Sequence, residues 1–294
     1  MIFPDNFIQN KFKTPDNINI NYLMAGDGPP ILLLHGHHQN SAMWHKIAPD
    51  LSKKYTVILA DLRGYGDSDK PKGNDDHSNY SKRIMALDMI YLIENLGFKK
   101  FNLIGHDRGG RVSYRMALDH KDKIENLITL DILPTYIMYQ NTNLDFATSY
   151  WHWFFLIRPF PFPENAINND PEIYLDQVSK GRNNGKSPFS KEAKDEYIRS
   201  LQNPDTAHGI CEDYRASKLI DFYHDLEDLE KGNKIECPML ALWGKNGAIE
   251  KYFDAIKEWQ KFATNIQGKA LNSGHYIAEE IPNILLAEIN DFLK

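Results

Sequence analysis

Cysteine is scarce in this chain: there are two in 294 residues, Cys211 and Cys237, far apart and outside any paired motif. That excludes a disulfide scaffold, and reduced thiols in the cytoplasm are the expected state. Long apolar runs are missing as well; none approaches the ~20 residues needed to span a bilayer, so no membrane association is expected. The opening stretch MIFPDNFIQNKFKT has no cationic segment followed by an apolar one, so it does not read as a secretory leader. Blocks of Lys or Arg do not occur and the net charge is −6, which argues against nucleic acid as a partner. What is present is an ordinary globular composition, 42% hydrophobic and 25% charged, sufficient for one large core or one core with an inserted subdomain.

Several apolar runs carry the fold class. Pro30 to Leu34 (PILLL), Thr56 to Ala60 (TVILA), Phe101 to Gly105, Leu127 to Ile132 (LITLDI) and Met239 to Trp243 (MLALW) read as strands buried on both faces, with Ile18 to Met24 an earlier one. Helical spacing, as in Tyr80 to Leu96, fills the intervals. This alternation predicts an α/β fold with a mainly parallel central sheet flanked by helices. From about Pro134 to Asp228 the rhythm breaks into aromatics, prolines and asparagines without a clear strand. The expected division is therefore a core of residues 1–135 and 229–294 and a helical cap of 136–228. The aromatic run Tyr150 to Pro163 (YWHWFFLIRPFPFP) fits both a core helix and a pocket-lining one.

Chemistry concentrates in Leu103 to Val112, LIGHDRGGRV. A strand end, a glycine-flanked turn and a helix start place one side chain, Asp107, at the apex of a Gly-x-Asp-x-Gly nucleophile elbow, where a serine is more common. A carboxylate that attacks saturated carbon forms an alkyl ester, so the substrate should carry a leaving group there. The helix N-terminus favours the ionised carboxylate. Arg108 and Arg111 beside it point to a small anionic substrate, which an acidic chain must attract with local cations.

An ester needs a general base, and His275 in Asn272-Ser273-Gly274-His275-Tyr276 follows the last expected strand, in the chain order nucleophile first, histidine last. The acid that orients it has two possible homes. The turn after Met239 to Trp243 reads Gly244-Lys245-Asn246-Gly247, without a carboxylate, so Asp131 at the end of LITLD is preferred over Glu250. Backbone N–H groups of His37 and Arg108 are the expected oxyanion donors, with His35 bracing the loop. His35, His37 and His38 lack spaced carboxylate or cysteine partners, so neither metal nor organic cofactor is expected.

The run Gly105 to Arg111 (GHDRGGR) resembles the fluoroacetate (haloacetate) dehalogenases of the α/β-hydrolase superfamily. The likeness continues through Leu130 to Thr135 (LDILPT), Tyr150 to Trp153 (YWHW), Cys211 to Ala216 (CEDYRA) and Ser273-Gly274-His275, across nearly the whole chain. It implies an α/β-hydrolase fold with a cap and hydrolytic removal of halide from a small 2-haloacid, a haloacetate such as fluoroacetate. By residue it implies Asp107 as nucleophile, His275 as base, Asp131 as its acid and Arg108 and Arg111 as the carboxylate clamp. His152, Trp153 and Tyr214 are implied as the halide pocket, and homodimerisation is a family expectation.

Two departures stand out. The loop after the second buried strand has His37-His38 where this branch usually reads His-Gly-x-Pro. Ser179 to Ser187 (SKGRNNGKS) is polar where relatives can present an aromatic to the pocket. The nearest rival is an epoxide hydrolase, which shares the aspartate nucleophile and needs cap tyrosines such as Tyr150 or Tyr214. It usually has tryptophan where Arg108 stands. A non-catalytic relative that binds a small acid is the second rival, and an intact nucleophile, base and acid speak against it.

Overall fold

The chain is described by a computed structural model that covers residues 2–183 and 185–294. Met1 of the expected non-leader stretch and Asn184 of the polar cap segment lie outside the described residues. Among the described residues the strands are β1 (Ile8–Lys13), β2 (Asn19–Ala25), β3 (Pro30–Leu34), β4 (Thr56–Ala60), β5 (Phe101–His106), β6 (Ile124–Leu130), β7 (Met239–Gly244) and β8 (Ile266–Leu271). They form one sheet in the order β1-β2-β4-β3-β5-β6-β7-β8. From β4 to β8 every pairing is parallel, whereas β2 pairs antiparallel with β1 and β4.

The apolar runs become the buried strands because helices cover both faces of a parallel sheet. Ile31 to Leu34 and Val57 to Ala60 are fully buried, each large side chain contributing roughly 1.5–3 kcal/mol by leaving water. Two strands escape the apolar-run criterion, β1 and β8. Both lie at sheet edges, and their exposed or half-buried residues IQNKFK and IQGKAL alternate with polar ones. Asp131 is not the last residue of a strand as expected. β6 ends at Leu130, and Asp131 turns the chain with φ +51.

Between β6 and β7 the chain is helical, from Thr135–Gln140 to Phe222–Lys231. The aromatic run divides into the helix Trp151–Leu156 and, after prolines, the helix Phe162–Asn169. Trp153 and Leu156 of that run are buried, as are Ile167, Leu175 and Tyr214 in the helices that follow, so these two side chains of the run serve as core. Among the described residues no helix is long and apolar enough to cross a membrane.

Candidate active site

Asp107 stands between the end of β5 and the helix Asp107–Asp119, in the left-handed region at φ +46. A non-glycine residue there is strained, and the packing of its neighbours holds it. Any side chain at Gly109 would bring its Cβ within 2.4 Å of Leu34 O, and one at Gly36 would bring it within 2.5 Å of Asp107 Cβ. The elbow therefore lies tightly against the end of β3, tied by Gly109 N–H donating to His35 O at 2.8 Å.

The two carboxylate oxygens of Asp107 differ. Oδ1 faces the His37 backbone N–H at 3.5 Å. Oδ2 lies 3.0 Å from His275 Nε2 and accepts from Arg182 Nη1 at 3.2 Å. The contact with His275 is close but poorly aligned for a hydrogen bond. On its other side His275 Nδ1 donates to Asp131 Oδ2 at 2.5 Å. Asp131 is fixed in turn, since its Oδ1 accepts from Gly244 N–H at 2.9 Å and its own N–H donates to Leu242 O. Glu250, the other carboxylate considered, accepts instead from Trp243 Nε1 at 2.6 Å. His106 Nε2 lies 2.9 Å from the His275 carbonyl and braces its turn.

Electrostatics follow from these contacts. Burial pushes the Asp107 carboxyl up, but His275 and Arg182 outweigh it and hold the group well below the usual carboxylate range. Burial and the Arg182 charge disfavour the His275 imidazolium, yet Asp107 and Asp131 on its two nitrogens keep its pKa above the ordinary imidazole value. Burial, with Arg182 adding to it, lowers His37 to about 3, and His37 Nε2 lies 3.0 Å from Tyr174 OH.

The aromatic residues named from sequence converge on the same place. The His152 ring stacks on His37 at 5.8 Å, and the Tyr214 ring lies 5.2 Å from His37 and 6.2 Å from Trp153. Arg108 lies over the Tyr214 ring at 4.1 Å and Arg111 over the Trp153 ring at 4.6 Å. Trp153 Nε1 and Tyr214 OH are buried without a hydrogen-bond partner among the described residues.

The two arginines are held differently. Asp213 grips Arg108 through Nε at 2.9 Å and Nη2 at 2.6 Å, Ser217 adds a contact, and Nη1 alone has no partner. Lys82, Tyr65 and Asp221 complete that buried network. It runs into the π-helical turn Ser217–Asp221, an irregularity frequent at functional sites. Arg111 donates from Nη1 to Leu133 O at 2.7 Å and to Thr135 Oγ1. Its Nη2 faces Met138 Sδ at 2.9 Å; among the described residues its Nε has no partner and no carboxylate pairs with it.

Two residues of the site have no role in the sequence reading. Asp213 lies within the quoted CEDYRA run, but only the fold brings it to Arg108. Arg182 lies in the polar segment noted as a departure; nothing in that pattern marks it as the residue that reaches the nucleophile. A cavity of about 60 Å³ beside it is lined by Tyr150, Gly247, His275 and Asp131, among others. Among the described residues no three His, Cys, Asp or Glu side chains converge in the manner of a metal site.

The family profile described as alpha/beta hydrolase fold matches residues 29–282. A fluoroacetate dehalogenase from Burkholderia sp is 42% identical over 95% of this chain and 91% of that protein. A soluble epoxide hydrolase from Corynebacterium sp. (strain C12) is 34% identical over 91% of each. A Nostoc sp PCC 7120 structure assigned to the alpha/beta hydrolases superposes with a TM-score of 0.96 at 44% identity, covering 100% of this chain and 99% of that one. With an eight-stranded, mostly parallel sheet and an elbow at the end of β5, the chain belongs to the α/β-hydrolase superfamily and, within it, to the fluoroacetate (haloacetate) dehalogenase family.

Proposed function

We propose that this chain hydrolyses a small 2-haloacid, haloacetate foremost, to the 2-hydroxy acid and halide through an ester on Asp107. The observation that carries the reading is Arg111, a guanidinium that is 1% exposed yet has no carboxylate partner among the described residues. A buried cation without a counter-ion costs several kcal/mol, and a substrate carboxylate supplies one. Its free Nε and the free Nη1 of Arg108 offer N–H donors to such a group.

The unequal surroundings of the two Asp107 oxygens support a division of labour between them. Oδ1, toward the His37 N–H, is the oxygen that becomes the carbonyl of the ester. Oδ2 attacks the substrate carbon; the carbon–halogen bond breaks and its electron pair leaves with the halide. Trp153 Nε1–H and Tyr214 O–H, which have no other partner among the described residues, donate to that halide. Esterification removes the Asp107 charge, one of the two that hold His275 protonated. The imidazole then becomes the stronger candidate for general base. Water gives it a proton and attacks the Asp107 carboxyl carbon, while the His37 and Arg108 backbone N–H groups take the oxyanion. Its collapse breaks the Cγ–Oδ2 bond, and the 2-hydroxy acid leaves with Oδ2 as its hydroxyl oxygen and the proton from His275. The regenerated Asp107 carboxyl gives up its own proton to solvent. Both steps balance with substrate and water alone, and a reduced cytoplasmic setting suits the two free cysteines.

The deciding experiment uses the His275→Asn variant with chloroacetate. Mass spectrometry of the Asp107 peptide is expected to show a carboxymethyl adduct that the wild-type enzyme hydrolyses, while Asp107→Asn releases no halide. Absence of the adduct with every haloacid tried would sink the proposal. The unpartnered Tyr214 hydroxyl favours one second reading, protonation of an epoxide oxygen, so 1,2-epoxides belong in the same panel.

A further inference from the structure

Arg182 has no place in the halide pocket expected from sequence, yet it lies at the centre of the site. It follows the helix Pro171–Gly181, whose C-terminal end favours a cation. Its side chain is 6% exposed and lies over the Tyr150 ring at 5.3 Å. One arm of the guanidinium, Nη1, donates to Asp107 Oδ2, and the other, Nη2, contacts His152 Nε2. The fork thus bridges the nucleophile and the imidazole expected to meet the leaving halide.

That contact changes what His152 can do. Its burial, with the Arg182 charge beside it, holds the imidazole well below its ordinary pKa, so it is neutral. A neutral ring nitrogen that faces a guanidinium N–H accepts, and the ring proton then sits on Nδ1. Nε2 is therefore not free to donate to a halide, and the N–H groups nearest it belong to Arg182. We infer that Arg182 is a halide-binding residue in this chain, a charged donor held on the leaving-group side of the site by His152. The inference rests on the dehalogenase reading and deepens it.

Charge conservation supports the assignment. Before attack, Arg182 is paired with Asp107. As the carbon–oxygen bond forms and the carbon–halogen bond breaks, the negative charge passes from Asp107, now a neutral ester, to the departing halide. A guanidinium between the two keeps a counter-ion throughout; Nη1 withdraws from Oδ2 to admit the substrate carbon, and His152 retains Nη2 on the halide side. Only stabilisation greater in the transition state than before it accelerates a step. A cation facing the leaving group therefore matters most for the poorest one, fluoride.

The test compares kcat/KM of the wild type, Arg182→Gln and Arg182→Lys on fluoro-, chloro- and bromoacetate. Arg182→Gln is expected to lose on the order of 10²–10³-fold on fluoroacetate, the size of effect seen when one preorganised donor is removed. The loss should shrink toward bromoacetate, and lysine should restore part of it. An equal loss on all three halogens indicates a structural role, and a gain indicates a mere plug; either overturns the inference. Should Arg182→Gln not fold, as judged by circular dichroism, a flat halogen profile for Arg182→Lys is equally fatal. A second arm needs no turnover: sodium bromide titrated calorimetrically into Asp107→Asn, whose neutral nucleophile mimics the charge of the ester. Adding Arg182→Gln to that variant should weaken bromide binding about tenfold or more, as loss of a charge-assisted hydrogen bond implies, and unchanged affinity refutes the halide role. If the wild type turns over no haloacid, the dehalogenase reading fails, and the bromide titration still decides on Arg182.

Discussion

On the sheet side of the site, Asp131 and His275 are fixed by backbone as well as by side chains. Gly244 N–H donates to Asp131 Oδ1, the Asp131 N–H donates to Leu242 O, and the His275 carbonyl meets His106. On the helical side, Trp153 Nε1 and Tyr214 OH are buried without a hydrogen-bond partner among the described residues, and the Arg182 side chain lies across the nucleophile. Turns at the ends of a parallel sheet can hold a proton relay rigidly where, as at Asp131 and His275, backbone hydrogen bonds to neighbouring segments fix them. The helices supply donors left unsatisfied for a ligand, at a cost in stability that buried unpaired groups always carry. Damage to the sheet side should therefore strike all substrates alike, whereas damage to the helical side should depend on the leaving group.

After loss of the nucleophile itself, the largest effect is expected from Asp131→Asn. An amide at that position presents a donor or a neutral oxygen to His275 Nδ1, which spoils its tautomer and its charge support. Loss of the equivalent aspartate from a Ser-His-Asp triad lowers kcat by ~10⁴-fold, and a drop on the order of 10³–10⁴-fold is predicted here. It should be equal for chloro- and bromoacetate in steady-state halide release. A drop that varied with the halogen would break the contrast between the two sides.

Much of the sheet side was legible in the sequence because its signals are local. PILLL and TVILA are strands within one residue of their apolar runs, and GHDRGGR forms the elbow at the end of β5. β1 and β8 were not legible, since edge strands need no apolar run. The place of Asp131 was read one step wrongly: an aspartate ending LITLD does not declare that the backbone turns left-handed at it. The helical side was legible only as residue identities. His152, Trp153 and Tyr214 do gather near Asp107, but the grip of Asp213 on Arg108 spans 105 positions, and the reach of Arg182 to Asp107 spans 75. No periodicity or spacing encodes such long pairings between polar side chains.

A smaller effect, of opposite character, is expected from Tyr214→Phe. The hydroxyl is buried without a partner among the described residues, so removing it relieves a desolvation cost of about 1–3 kcal/mol. The melting temperature should hold or rise while halide release falls about tenfold, the value of one hydrogen bond to a charged group. The loss should be greater for fluoroacetate than for bromoacetate. Differential scanning fluorimetry beside the halide assay checks both halves, and a destabilised Tyr214→Phe would show that the hydroxyl serves the fold instead.

The smallest effect concerns one proton and tests the link between the two sides. With Asp107 and Asp131 on its nitrogens, His275 titrates above the ordinary imidazole range. In Asp107→Asn one of those carboxylates is gone, while burial and the Arg182 charge remain, so the pKa should fall. The sign for stability follows. A raised folded-state pKa means the imidazolium stabilises the fold below the unfolded imidazole value, and that contribution is lost as pH rises through the folded-state pKa. Above that pKa the part of the wild-type advantage over Asp107→Asn that depends on His275 protonation should vanish. Nitrogen-15 NMR titration of His275 in the two proteins measures the shift directly. An unchanged pKa would mean that Arg182, rather than His275, carries the charge balance of Asp107, and that ester formation does not by itself free the base.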